Sequence, residues 1–154
     1  MKIKTLMAAI LMTLSLGVGI SSISTPVSAS SWHRGTPKVA HGNWYYYRHG
    51  KPRGRTQVTK NLWAFNSVSY SSHFHAYFNR YSLDFLQGLR YRYIGHHKYI
   101  ISGISEGGQC TPPIGKRRNH VVQVGKSHMK QFGVKLTRHK PAHMVGTLKG
   151  SLNP

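Results

Sequence analysis

The sequence predicts an all-β protein, a small single-domain antiparallel β-barrel of about eight strands. Three observations lead to this prediction. Apolar and polar residues alternate with a period of two in several short segments, turn residues separate these segments, and only one segment has a helical pattern. Many short strands joined by regular turns are typical of a closed barrel or a sandwich.

The clearest strand is "LRYRYI", which places Leu89, Tyr91 and Tyr93 on one face and Arg90 and Arg92 on the other. The segments "HFHAYF" and "QFGVKLT" show the same alternation, and "HVVQV" and "HMVGTLK" give shorter versions of it. We predict one strand for each of these segments.

Turn residues separate the predicted strands. "RHGKPRG" predicts a hairpin between "NWYYYR" and "RTQVTK", and "GHH" predicts another between "RYRYI" and "KYIISGI". The exception to the strand pattern is "YSLDFLQG", in which Ser82 is a candidate N-cap, Asp84 lies in the first turn and Gly88 is a stop signal. We therefore expect one short helix at this point.

The first 29 residues have the parts of a secretory signal peptide. Lys2 and Lys4 supply positive charge, a 15-residue apolar run extends from Leu6 to Ile20, and a polar segment ends in Val27-Ser28-Ala29. The apolar run is shorter than the roughly 20 residues that span a bilayer. We predict cleavage after Ala29 and a secreted or extracellular protein that can associate with the cell wall.

The remaining residues, 30–154, suffice for one barrel domain, with residues 30–41 as an N-terminal arm. The full chain carries 22 Lys and Arg residues and 11 His residues but only 2 acidic residues, for a formal net charge of +20. A charge excess this large indicates anionic partners. Aromatic residues recur along the domain, which excludes a disordered chain.

The stretch "TPKVAHGNWYYY" contains Gly42-Asn43-Trp44. This Gly-x-Trp resembles the first strand of lipocalin-like barrels, and the layout of signal peptide and Tyr-rich strands is similar to that of small basic secreted proteins of Gram-positive bacteria. The resemblance implies that Gly42 and Trp44 belong to the barrel floor, with Arg138 against the tryptophan. The chain departs from lipocalins by lacking paired cysteines and their second loop motif.

The stretch "SEGGQCTPPIGKRRNH" holds the chain's single cysteine, Cys110, ten residues before His120. "GQCT" resembles the nucleophile segment of secreted cysteine amidases that cleave peptidoglycan, so a cysteine-dependent cell-wall hydrolase is one alternative. However, Pro112 and Pro113 disfavour the helix N-terminus that would activate a thiol, and the histidine follows sooner than in those enzymes. We interpret the stretch as a basic loop and predict no catalytic residue.

The sequence predicts neither a metal site nor a cofactor. His73 with His75, and His96 with His97, could each supply two imidazole ligands, but no further ligand lies at a suitable spacing. The chain's two carboxylates lie in different predicted loops, which disfavours the paired acids of a glycosidase. No glycine-rich phosphate loop is present.

We therefore expect a secreted, cationic, non-enzymatic barrel that binds an anionic cell-wall polymer or an anionic lipid surface. Extracellular nucleic acid is a further anion of this kind. The alternative is a lipocalin-like carrier of a small apolar ligand inside the barrel. We expect a monomer without a specific protein partner. The predicted anion contacts are the basic residues Arg53, Arg55, Arg90, Arg92, Lys116, Arg117 and Arg118.

Overall fold

The computed structural model describes residues 30–107 and 114–147, so the predicted signal peptide lies outside the described residues. Within them the chain forms ten strands, one 3₁₀ turn at Lys38–Ala40 and no α-helix. The strands are β1 (His33–Arg34), β2 (Gly42–Arg48), β3 (Lys51–Val58), β4 (Trp63–Ser71), β5 (Ala76–Tyr93), β6 (Lys98–Ser105), β7 (Arg117–Val124), β8 (His128–Gln131), β9 (Val134–Thr137) and β10 (Met144–Thr147).

Eight of these strands, β2 to β9, close into an antiparallel barrel. Each strand pairs with the next one along the chain, and β9 pairs with β2 to complete the ring. This confirms the predicted fold class. Consecutive strands run in opposite directions, so β2, β4, β6 and β8 all finish at the same end of the barrel. We call this end the open end. The start of β2 and the connections after β3, β5 and β7 lie at the closed end.

Strand β5 has 18 residues and joins several parts of the sheet. Its first part forms an antiparallel pair with β4 and a parallel pair with β10. Its later part forms antiparallel pairs with β6 and β1. The helix predicted for "YSLDFLQG" is wrong, because these residues lie within β5. At Leu86 the chain pairs with Trp63 on one edge and Ser105 on the other, and this sheet pairing outweighs the local helical signal.

Two-residue turns join several of the strands. His49-Gly50 and His96-His97 lie at the predicted hairpins, and all four residues have positive φ, as a type I′ turn requires. The prediction of one strand for "QFGVKLT" is wrong. Phe132 and Gly133, with φ of 51° and 75°, form a turn between β8 and β9, which leaves Phe132 exposed and Gln131 buried.

The main core lies inside the barrel. Its buried members are Ala40, Trp44, Val58, Trp63, Leu86, Leu89, Ile101, Val122, Val124, Met129 and Leu136. Packing is tight at Gly103, where an added Cβ would lie 2.8 Å from Cβ of Leu86. A smaller cluster of Tyr45, Val68 and Met144 forms where the C-terminal segment covers β2 and β4. The closed end is therefore filled with side chains.

Candidate anion-binding site

The closed end of the barrel is built around Trp44, which is 0% exposed. Its indole Nε1 donates a 2.7 Å hydrogen bond to the carbonyl oxygen of Ala40 in the 3₁₀ turn. The guanidinium carbon of Arg138 lies 3.9 Å from the ring centre. Arg138 also donates to the carbonyl oxygens of His41 and Val39, at 2.9 and 2.8 Å. The structure thus brings Trp44 and Arg138 together and ties the last barrel strand to the arm.

Gly42 makes room for this contact. Its φ is +117°, and an added Cβ would lie 2.9 Å from Nη1 of Arg138. A side chain at this position would therefore be strained in its backbone and would press on the guanidinium. The glycine of the Gly-x-Trp motif therefore leaves the space in which Arg138 packs against the tryptophan.

A second group of arginines lies where the arm joins the sheet. Strand β1 pairs with β5, which places Arg34 opposite Arg90. The guanidinium carbons of Arg90 and Arg92 lie 4.7 and 5.3 Å from the ring centre of Trp32, which is 38% exposed. Two cations therefore share one aromatic ring. We call Trp32, Arg34, Arg90 and Arg92 the cationic patch.

A surface cleft of about 480 Å³ adjoins this patch. Its lining residues come from the arm, the β3–β4 turn and the middle of β5, and they are Arg34, Gly35, Asn61, Gln87, Gly88, Leu89 and Arg90. Arg117 borders the cleft, since its Nη1 donates to the carbonyl oxygen of Gly88 at 3.2 Å. The cleft therefore combines guanidinium groups with amide side chains, which are all hydrogen-bond donors to an anion.

The seven predicted anion contacts do not form one surface. Arg53 and Arg55 lie on β3, and Arg55 donates from Nε and Nη2 to Oδ1 of Asn43 at 3.0 and 2.7 Å. Arg90 and Arg92 belong to the cationic patch on β5. The sequence prediction contained these two arginines but missed Trp32 and Arg34, whose signal is the aromatic and basic content of "SWHRG" in the arm.

The three basic residues at the start of β7 face different ways. Lys116 and Arg117 are exposed, whereas Arg118 is half-buried and pairs with Gly103. Paired residues of antiparallel strands project to the same face. An added Cβ on Gly103 would meet Leu86 and Leu89 in the core, so Arg118 faces the barrel interior. It is not part of the outer cationic surface.

Polar side chains line the interior toward the open end. Ser105 donates a 3.1 Å hydrogen bond to Oδ1 of Asp84. His120 lies opposite the core residue Ile101, and burial lowers its pKa below 6.5, while Asp84 opposes this shift and Arg118 adds to it. Within the described residues, the buried Nε2 of His120 has no hydrogen-bond partner. The interior is therefore apolar at the closed end and polar toward the open end.

Two other kinds of site were considered from the sequence, a histidine metal site and a cysteine-dependent active site. His73 and His75 lie in the β4–β5 turn, and His96 and His97 lie in the β5–β6 turn. In the described ranges, no group of three or more His, Cys, Asp or Glu side chains could hold a metal ion. Cys110 lies outside these ranges.

Comparison with known proteins identifies no relative of this chain. The chain matches no family model, no curated protein and no solved structure. None of the helical segments in residues 30–107 and 114–147 is long and apolar enough to cross a membrane.

Proposed function

We propose that this protein is exported and binds a phosphate-rich anionic polymer of the cell envelope through the cationic patch, without catalysing a reaction. The observation that carries this proposal is the arrangement of Arg90 and Arg92 on one exposed indole, with Arg34 paired beside them. Within the described residues, neither Arg90 nor Arg92 donates a side-chain hydrogen bond to the protein.

The arrangement suits phosphate because, within the described residues, Arg90 and Arg92 make no side-chain hydrogen bond to the protein. Nε of Arg92 is buried, so its terminal nitrogens are the donors that can face a ligand. A guanidinium group has five N–H donors in a planar fork, which matches the oxygens of a phosphate group. Stacking on Trp32 limits the motion of both side chains, so less conformational entropy is lost when an anion binds. A bound phosphate also relieves the repulsion between neighbouring guanidinium groups.

The charge balance around the patch supports an anionic partner. The whole chain contains 2 acidic residues, Asp84 and Glu106. Asp84 accepts a hydrogen bond from Ser105 toward the barrel interior, and Glu106 follows β6 near the open end. The full chain has a net charge of +20, from which cleavage after Ala29 removes only Lys2 and Lys4. The remaining positive charge draws a polyanion to the protein, and the patch supplies directional contacts once it arrives.

Packing of the barrel favours surface binding over the carriage of an apolar ligand. Trp44, Ile101 and Met129 are fully buried and occupy the closed end. Toward the open end, Asp84, Arg118 and His120 bring polar and charged groups inside. An apolar molecule would have to remove these groups from water, at a cost in free energy.

The proposal is tested by incubating the exported protein, beginning at Ser30, with intact cell walls and with walls stripped of teichoic acid. Binding to intact walls should fall steeply as salt rises, because each phosphate contact releases condensed counterions.

Two results would contradict the proposal. Retention on intact walls at high salt would indicate a shaped pocket, in which case co-purifying small molecules should be sought by mass spectrometry. Equal binding to stripped and intact walls at low salt would remove teichoic acid as the partner.

A further inference from the structure

The tip of the β4–β5 hairpin lies beyond the ends of the strands beside it. The β3–β4 ladder ends at the pair Gly54–Ser67, whereas the β4–β5 ladder continues to the pair Ser71–Ala76. Lys51, the first residue of β3, lines a cleft with Tyr70 and Tyr77, and Met144 of β10 pairs with Tyr77. The turn between Ser71 and Ala76 lies beyond these neighbours. We call residues 68–79 the projecting hairpin.

Aromatic side chains cover the outer part of the projecting hairpin. Phe74 lies in the turn and is 55% exposed. The sequence predicted a strand for "HFHAYF", which starts at His73, whereas β5 begins at Ala76. The Phe74 and Phe78 rings pack in a T-shaped arrangement, with 5.6 Å between ring centres. One pair behind Ser71–Ala76, Tyr70 and Tyr77 pack at 5.0 Å, and Tyr70 is 51% exposed.

Basic side chains flank the hairpin closer to the barrel. Lys51 and Arg53 line one cleft of about 440 Å³ together with Tyr70 and Tyr77. Arg80 lines a second cleft, of about 400 Å³, that also contains Tyr70. From the tip inward, the order is therefore an apolar ring, a pair of tyrosines and then cations.

We propose that the projecting hairpin inserts into the surface of an anionic lipid bilayer. Phe74 enters below the headgroups, and Tyr70 and Tyr77 lie at headgroup level, where amphipathic aromatic rings are favoured. Lys51 and Arg53 contact lipid phosphates while their stems follow the apolar surface. This inference involves a different part of the molecule from the cationic patch, so either proposal can fail without the other.

The side chain of Phe74 favours a bilayer over a hydrated polymer. Its ring has no polar atom, and removing it from water requires an apolar medium. A phosphate polymer in water offers none, whereas the acyl region of a bilayer does. The cations behind the ring then match the negative surface potential of anionic lipids.

The test uses vesicles of phosphatidylglycerol and, separately, of phosphatidylcholine, with sedimentation as the binding assay. The exported protein should bind the anionic vesicles, and Phe74→Asn should weaken this binding about tenfold. The matched control is Phe132→Asn. Phe132 is 64% exposed in the turn of the much shorter β8–β9 hairpin, so its loss should change binding less than about twofold.

Two further variants separate insertion from charge attraction. A variant with Phe74→Trp should show a blue-shifted emission on anionic vesicles and quenching by lipids brominated in the acyl chain. A variant with Lys51→Gln, Arg53→Gln and Arg80→Gln should bind at least about tenfold more weakly, since each cation near the surface contributes. Circular dichroism of every variant checks that the barrel is intact.

Several results would overturn the inference. One is equal vesicle binding by the wild-type protein and Phe74→Asn, and another is a Phe74→Trp emission that vesicles leave unchanged. Failure to bind anionic vesicles while cell walls are still bound would reject the lipid partner and keep the proposed function. Concentration-dependent dimerisation that Phe74→Asn abolishes, without vesicle binding, would identify a second copy of the chain as the occupant.

Discussion

Two arginine–tryptophan stacks in this barrel differ in what else the arginine contacts. Arg138 lies 3.9 Å from the Trp44 ring centre and donates to two carbonyl oxygens of the arm. Arg90 and Arg92 lie 4.7 and 5.3 Å from the Trp32 ring centre, and in the described part of the chain their guanidinium groups donate to no protein acceptor.

An arginine stacked on a tryptophan can therefore serve either the fold or a ligand, and its surroundings determine which. Where the indole is buried and the guanidinium donors are used within the protein, as at Trp44, the stack closes the barrel. Where the indole is partly exposed, as at Trp32, and the terminal guanidinium nitrogens have no acceptor among the described residues, the same chemistry is available to a ligand. The two stacks should therefore respond in opposite ways to equivalent substitutions.

The largest expected difference is between Trp44→Ala and Trp32→Ala. Removing the buried indole of Trp44 should destabilise the protein by about 3–5 kcal/mol, because it leaves a cavity and unpairs Arg138. Trp32→Ala should cost less than about 1 kcal/mol of stability but weaken polyanion binding several-fold. Thermal melting followed by circular dichroism measures the first effect. Equal melting temperatures for the two variants would contradict the different roles assigned to the two stacks.

A smaller difference is expected between two glycines with positive φ. Gly42→Ala combines backbone strain with a contact to Arg138, whereas Gly50→Ala adds strain alone, since nothing lies within 4 Å of its added Cβ. We expect a loss of about 2–3 kcal/mol for Gly42→Ala and about 1 kcal/mol for Gly50→Ala. Urea denaturation measures both values. Similar losses would show that the guanidinium of Arg138 moves aside without cost.

The smallest effect concerns His120 in the polar part of the interior. Burial lowers its pKa in the folded state below 6.5, so the unfolded chain takes up a proton first as pH falls. The contribution of His120 to stability is therefore complete above about pH 6.5 and decreases below it, toward the lower pKa of the folded state.

His120→Gln should make the urea midpoint less sensitive to a change from about pH 7 to about pH 5. The exposed His128 provides the matched control for a His-to-Gln replacement outside the barrel interior, as His128→Gln. An unchanged pH dependence in His120→Gln would show that this histidine is not destabilised by burial when charged.

Much of the fold follows from local patterns in the sequence. Two-residue alternation and turn residues predict the barrel, because one face of each strand must be buried and tight hairpins need residues that accept positive φ. The Gly-x-Trp resemblance pointed to Trp44 and Arg138, which the structure brings into contact. Prediction failed at β5, where pairing on both edges of the strand outweighs a local helical signal.

The candidate site was less predictable than the fold. Trp32 and Arg34 meet Arg90 and Arg92 only because β1 pairs with the far end of β5, and no local pattern encodes that pairing. Arg118 has the same composition signal as Arg117 but faces inward, since its register opposite Gly103 determines its face. Charge content predicts the class of partner, whereas tertiary pairing determines which cations lie together.

The most direct test of the central claim is titration of a fluorescent polyphosphate with two variants that lose the same number of charges. One carries Arg34→Gln, Arg90→Gln and Arg92→Gln in the cationic patch. The other carries Lys126→Gln, Lys130→Gln and Lys135→Gln, which replace exposed lysines on the β7–β9 side of the barrel.

Fluorescence anisotropy across a salt series gives the affinity and its salt slope for each variant. The patch variant should bind at least about tenfold more weakly than the wild-type protein, with a salt slope reduced by about three, whereas the lysine variant should lose less than about threefold and keep most of its slope. Equal losses of affinity in the two variants would contradict the claim that the cationic patch is the binding site.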